Sequence, residues 1–167
     1  MSSYIQQNLL KNEKIIYFTR MHWIIFAMPV ILLAATLICA IFSPILFPGY
    51  VPFFRIRLAS LVILIFLAAA IISGISSFIR YATSEYGLTS KRIMIKTGWL
   101  SRISLELYLN RIEAIYVDQS ILGRILNYGT LRVVGTGGTQ DPFFYIPEPL
   151  KFRKIAQEQV DLEKNIQ

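Results

Sequence analysis

The sequence predicts a membrane α-helical hairpin followed by a mainly-β domain, a small antiparallel sandwich or open barrel capped by a C-terminal helix. Three observations carry this prediction. Two apolar stretches, His22 to Phe42 and Leu58 to Ile79, hold no charged residue. Each is long enough to cross a bilayer, since about 20 residues at about 1.5 Å rise span a hydrocarbon core of about 30 Å. After Arg80 the hydrophobic period changes from helical to alternating, the mark of half-buried strands. The last stretch opens with Pro147 and Pro149 and sets Phe152, Ile155, Ala156 and Val160 on one helical face. The expected organisation is a cytoplasmic N-terminal segment at 1–20, the hairpin at 21–79 and the β-rich domain at 80–167.

Composition agrees. The chain of 167 residues is 54% hydrophobic and 16% charged, against about 25% charged in an average chain. The net charge of +7 is spread along the chain. It fits a surface near anionic headgroups better than a nucleic-acid patch. Cys39 is the single cysteine, so neither an intrachain disulfide nor a cysteine-based metal site is expected.

Taken in order, Ser2 and Ser3 are placed to cap a short helix through Leu10, and Lys11-Asn12-Glu13 reads as a turn. Lys14 to Thr19 is β-branched and aromatic, hence a strand. The first span opens with Arg20, His22 and Trp23, side chains suited to the headgroup level. Pro29 falls in its first turns. Ser43-Pro44 and the proline-rich stretch through Pro52 are expected to end it. The second span carries Ala69, Ser73 and Ser77 at four-residue spacing, beside Ala70 and Gly74. Small residues at that spacing let helices approach closely, either as a hairpin within one chain or as a seam between copies. Lys11, Lys14 and Arg20 on one flank, and Arg80, Lys91, Arg92 and Lys96 on the other, place both termini in the cytoplasm.

Beyond Arg80, strands are expected over Ser84–Thr89, Arg92–Thr97, Ser101–Leu109, Ile112–Gln119, Thr130–Gly135 and Phe143–Ile146. Ser101–Leu109 alternates most regularly, with Ile103, Leu105, Leu107 and Leu109 on one face. Ser120 is a helix N-cap for a short turn through Leu126. The run Gln119 to Gly129 puts Ile121, Leu122, Ile125, Leu126 and Tyr128 into a brief excursion. They either fill the barrel or present a surface. The glycines from Gly135 to Gly138 lack the lysine and helix of a phosphate loop and read as a hairpin.

Several of these segments resemble a known family. They are Leu88-Thr89-Ser90-Lys91-Arg92-Ile93 with Lys96-Thr97-Gly98, then Ile112 to Ile115 with Asp118-Gln119-Ser120. Gly123 to Leu131 and the loop Gly135-Thr136-Gly137-Gly138 follow. The chain resembles the bacterial pleckstrin-homology (PH-like) domain of two-span membrane proteins, long classed as a domain of unknown function. The resemblance covers nearly the whole chain. It implies two near-orthogonal sheets with a capping C-terminal helix. It also sets Lys91, Arg92 and Lys96 where the basic residues of eukaryotic PH domains grip inositol phosphates. Here the turn is shorter and the basic set sparse, which suits a generic anionic lipid.

No catalytic constellation is present: His22 is the lone histidine, and the carboxylates show no chelating spacing. No enzyme activity, cofactor, metal or nucleic acid is expected. The expected function is a membrane-anchored interaction module in the inner (plasma) membrane. It would bind membrane lipids, a membrane protein or another copy of itself. The alternative is a subunit of an oligomeric membrane complex for transport or envelope-stress defence. The binding candidates are Lys91, Arg92, Lys96, Ile121, Leu122, Arg124 and Tyr128.

Overall fold

The computed structural model describes residues 4–46, 50–51, 56–98, 103–138 and 140–166. The expected Ser2–Ser3 cap and part of the proline-rich turn lie outside the described residues. The elements run α1 (Tyr4–Gln7), β1 (Ile15–Arg20), a 3-10 turn (Trp23–Phe26), α2 (Ala27–Leu46), β2 (Tyr50–Val51), β3 (Ile56–Arg57) and α3 (Leu58–Thr83). There follow β4 (Glu85–Thr89), β5 (Arg92–Thr97), β6 (Ile103–Tyr108), a 3-10 turn (Leu109–Arg111), β7 (Ile112–Asp118), α4 (Ile121–Ile125), β8 (Tyr128–Gly135), β9 (Gln140–Pro147) and α5 (Pro149–Ile166). They form two compact units. One is Trp23–Ile79. The other joins Met1–His22 to Arg80–Gln167.

The first unit has two helical stretches long and apolar enough to cross a membrane, Trp23–Ser43 and Ala59–Thr83. Both carry proline or small residues whose polar consequences are met locally. Pro29 has no N–H to give the Ile25 carbonyl, and the Ser77 hydroxyl of α3 donates to that carbonyl at 3.1 Å. Pro44 was expected to end the first helix, yet α2 runs on to Leu46. The Ser43 hydroxyl donates at 3.0 Å to the Ala40 carbonyl, the one Pro44 cannot serve. Pro29 and Thr36 on α2, and Ala70 and Ser77 on α3, are buried at seven-residue spacing while most of both helices is exposed. Ala70 and Ser77 of α3 are thus covered within the chain.

The second unit holds seven strands in two antiparallel sheets, ordered β1-β4-β5-β6 and β7-β8-β9. The sequence sets residues 1–20 apart from the β-rich domain, but β1 is its edge strand, pairing with β4 from Ile15↔Thr89 to Arg20↔Glu85. The chain therefore leaves this unit at the end of β1 and returns at the start of β4, at one end of one strand pair. The sheets are joined by the turn Leu109–Arg111. They also meet where the His22 N–H donates to the Tyr145 carbonyl at 2.7 Å. No ladder links β1 to β9 among the described residues, so the barrel stays open. α5 packs against β7 and β8, burying Phe152, Ala156 and Val160 beside Leu131, Val133 and Ile146. A fully buried side chain of this size stabilises by about 1.5–3 kcal/mol relative to exposure.

One departure from simple alternation shapes the site. Arg92 and Met94, which alternate with Ile93 and Ile95 along β5, are buried as well. Their cover is the segment before β1. Ile5 of α1 is fully buried over β4, and a Cβ on Gly87 would lie 2.5 Å from its Cδ1. Glycine is what lets α1 lie down on the sheet.

Candidate functional site

Arg92, a binding candidate by sequence, is buried. Its guanidinium lies inside the domain. Nε donates to Glu13 Oε1 at 3.0 Å, Nη2 to Glu13 Oε2 at 3.0 Å and to the Asn8 carbonyl at 2.8 Å, and Nη1 to Glu106 Oε2 at 2.6 Å. The Thr89 hydroxyl also donates to Glu13, at 2.6 Å, as does the Leu10 N–H at 2.8 Å. The side chains of Arg92 and Glu13 are 6% and 0% exposed. A buried cation with four of its five N–H donors so committed clamps residues 8–13 to β4 and β5 and does not face a headgroup. Burial pushes the Glu13 carboxyl up, but the hydrogen bonds from Arg92, Thr89 and Leu10 outweigh it and hold it below its ordinary range.

The other two cations of this group part company. Lys91 is exposed in the β4–β5 turn, opposite the sheet end where the chain departs for α2 and returns from α3. Lys96 pairs with Glu85 at the departure end, and its ammonium lies 4.9 Å from the Tyr4 ring centroid, a cation–π contact. The three do not form one cluster.

The excursion between β7 and β8 is a built surface. Ser120 caps α4, accepting from the Gly123 N–H at 3.1 Å. The Gln119 amide donates to the Tyr128 carbonyl at 3.1 Å and to the Gly123 carbonyl at 3.3 Å. The loop is tight: a Cβ on Gly123 would meet the Tyr128 carbonyl oxygen at 2.7 Å, and one on Gly129 the Asp118 carbonyl oxygen at 2.8 Å. On this pinned turn Ile121, Leu122 and Ile125 are 80%, 63% and 72% exposed. They present a surface and do not fill the barrel. Arg124 is exposed beside them and lines a cleft of about 390 Å³ with Val117, Gln119, Asn127 and Leu150. Tyr128 is half-buried, turned onto His22.

His22 connects this turn to the departure end. Its ring stacks on Tyr128 with centroids 5.2 Å apart, and Tyr145 lies 6.2 Å beyond. Tyr145 sits at φ 57°, in a bulge of β9 that turns its carbonyl to the His22 N–H. That backbone region is strained for an aromatic residue. Burial pushes the His22 imidazole below its ordinary value, against a hydrogen bond to the Leu126 backbone. A histidine held neutral in the fold contributes stability that is complete above its unfolded value near 6.5 and is lost as pH falls towards the folded value. Urea unfolding of the full chain in detergent should show stability declining between about pH 7 and 5, by at most about 1.4 kcal/mol per pH unit for one proton. His22→Gln should flatten that decline, and an unchanged slope in the variant would assign it elsewhere.

At the same end lies a mainly apolar cavity of about 400 Å³. Met21, Tyr86, Phe143 and Phe144 supply apolar wall, Arg80 and Ser84 polar groups, and Thr97, Gly98 and Pro142 the rest. The Tyr86 hydroxyl donates to the Phe144 carbonyl at 3.1 Å, and burial raises its pKa, so the phenol stays neutral. Sequence reasoning missed this cavity and missed Glu13. Met21 and Arg80 are 59 positions apart, and only the β1–β4 pairing brings them together. Among the described residues no group of three or more His, Cys, Asp or Glu could hold a metal ion.

An open pair of antiparallel sheets with a C-terminal helix packed on it, in a chain that also carries two long apolar helices, defines a PH-like domain protein. A family model described as "Bacterial PH domain" matches residues 23–160, and the chain belongs to that family. No curated protein and no solved structure matches it.

Proposed function

We propose that this chain is a membrane-anchored, non-catalytic interaction module whose working face is the end of the PH-like domain where the chain departs for the hairpin, and that this face rests on the adjoining leaflet. The supporting observation is the company His22 keeps. It is the last residue before the first apolar helix, and it touches Tyr145 and the Leu126–Tyr128 corner of the α4 turn. The exposed Ile121, Leu122 and Ile125, and Phe144 at 54% exposure, are thereby tethered close to the bilayer surface. Apolar side chains with an arginine among them suit the boundary between headgroups and acyl chains. Basic flanks on both sides of the hairpin support a cytoplasmic position for the domain.

The test compares two positions in proteoliposomes. With Cys39 replaced by alanine, an environment-sensitive fluorophore is placed on a cysteine at position 125 or at position 91. The label at 125 is expected to be quenched by lipid-borne spin labels and that at 91 only by a water-soluble quencher. Equal exposure of both to water would overturn the proposal. Shielding of position 125 from both quenchers would do so too, by putting a protein on the turn.

A further inference from the structure

The cavity beside Arg80 has a chemistry of its own. Its walls are aromatic and aliphatic, and Arg80 is the one charged side chain among the described residues that line it. Arg80 is exposed and makes no ion pair among the described residues. The neighbouring carboxylate of Glu85 accepts from the Ile5 N–H at 3.4 Å. Tyr86, hydrogen-bonded to Phe144, brings no negative charge. What the cavity offers is therefore an available guanidinium at the edge of a dry surface.

Position in the chain says what comes to it. Met21 stands two residues before Trp23, where the first apolar stretch begins, and Arg80 stands within the last turn of α3. Residues that flank both ends of the hairpin in the chain line one cavity, and on the leaflet-facing reading above its occupant comes from that leaflet.

On this basis we infer that the cavity binds one anionic phospholipid, its phosphate on Arg80 and its glycerol and first methylenes against Phe143, Phe144 and Met21. Guanidinium matches a phosphate oxygen pair with two parallel hydrogen bonds. A zwitterionic lipid would add a cation beside Arg80, so an anionic lipid is preferred. The inference rests on the leaflet-facing reading above and adds a ligand class to it.

Native mass spectrometry of the full chain, released from detergent with phosphatidylglycerol or phosphatidylcholine added, tests it. The wild-type protein should retain one phosphatidylglycerol with about tenfold preference. Arg80→Gln should abolish the preference and Arg80→Lys retain part of it. Arg20→Gln, which removes an exposed charge outside the cavity, should leave it intact. Glycerophosphate, the headgroup without chains, should not displace the lipid. Preference unchanged in Arg80→Gln, equal loss in Arg20→Gln, or displacement by glycerophosphate would each overturn the assignment. Wild-type quenching at position 125 together with no retained lipid would sink this inference while leaving the leaflet-facing reading standing.

Discussion

Expressed alone, residues 80–167 are expected to remain unfolded. Removing residues 1–79 strips β4 of its partner strand, from Ile15↔Thr89 to Arg20↔Glu85, and uncovers Leu88 and Tyr86. It takes Ile5 off Gly87 and Tyr17 off Phe152, whose rings meet edge-on at 5.6 Å. Arg92 would keep Glu106 and lose Glu13 and the Asn8 carbonyl. Removing one partner of a buried ion pair, as the loss of Glu13 does, costs about 3–5 kcal/mol. A small domain has about 5–15 kcal/mol in total, and the lost strand comes on top. The check is a thermal melt by circular dichroism with a proton–nitrogen NMR spectrum. Collapsed amide dispersion and no cooperative transition are expected. Joining residues 4–22 to residue 80 through a short glycine-serine linker should restore both, because Arg20 and Glu85 already face each other across the ladder. A cooperative melt from residues 80–167 alone would show that β1 is dispensable.

That expectation marks where the sequence was legible and where it was not. Local periodicity located β5 residue for residue, the Ser120 cap was readable from one side chain, and Pro147 with Pro149 bracketed the start of α5. The N-terminal strand was also readable, but its partner was not. Nothing within a dozen residues of Lys14–Thr19 says that it pairs 65 or more positions later, across two apolar helices. The same non-locality hid the role of Arg92. On β5 it alternates with Ile93 and Ile95 like any solvated cation, and its cover comes from residues 5–13. The α4 turn was left open between core and surface because its composition suits both. The backbone contacts at Gly123 and Gly129 decide it, by holding the turn outside the sheets. The place of Lys91 was hidden in the same way: a strand has two ends, and only the β4–β5 pairing puts Lys91 at the end opposite the one where the chain departs.

Replacing Arg92 by alanine is expected to cost the full chain about 3–5 kcal/mol near neutral pH, with the cost shrinking in acid. In the wild-type protein Glu13 is held below its ordinary 4.5. Its contribution is complete above that value and is lost as pH falls through the folded one. Without Arg92 the largest influence on this carboxyl is still burial, which raises its pKa, and the strongest opposing hydrogen bonds are gone. The variant's folded state then takes up a proton more readily than its unfolded state, so its stability rises as pH falls while the wild type's declines. Urea unfolding in detergent at about pH 7 and pH 4 should show the two converging. The paired substitution Glu13→Leu with Arg92→Met should be less damaging than Arg92→Ala, since it strands no buried charge. A gap independent of pH, or a double variant worse than the single, would mean the clamp works through shape alone. Convergence would mean that the N-terminal segment is held to the sheet by charge, and that the fold of this domain depends on a carboxylate the chain supplies before it ever reaches the membrane.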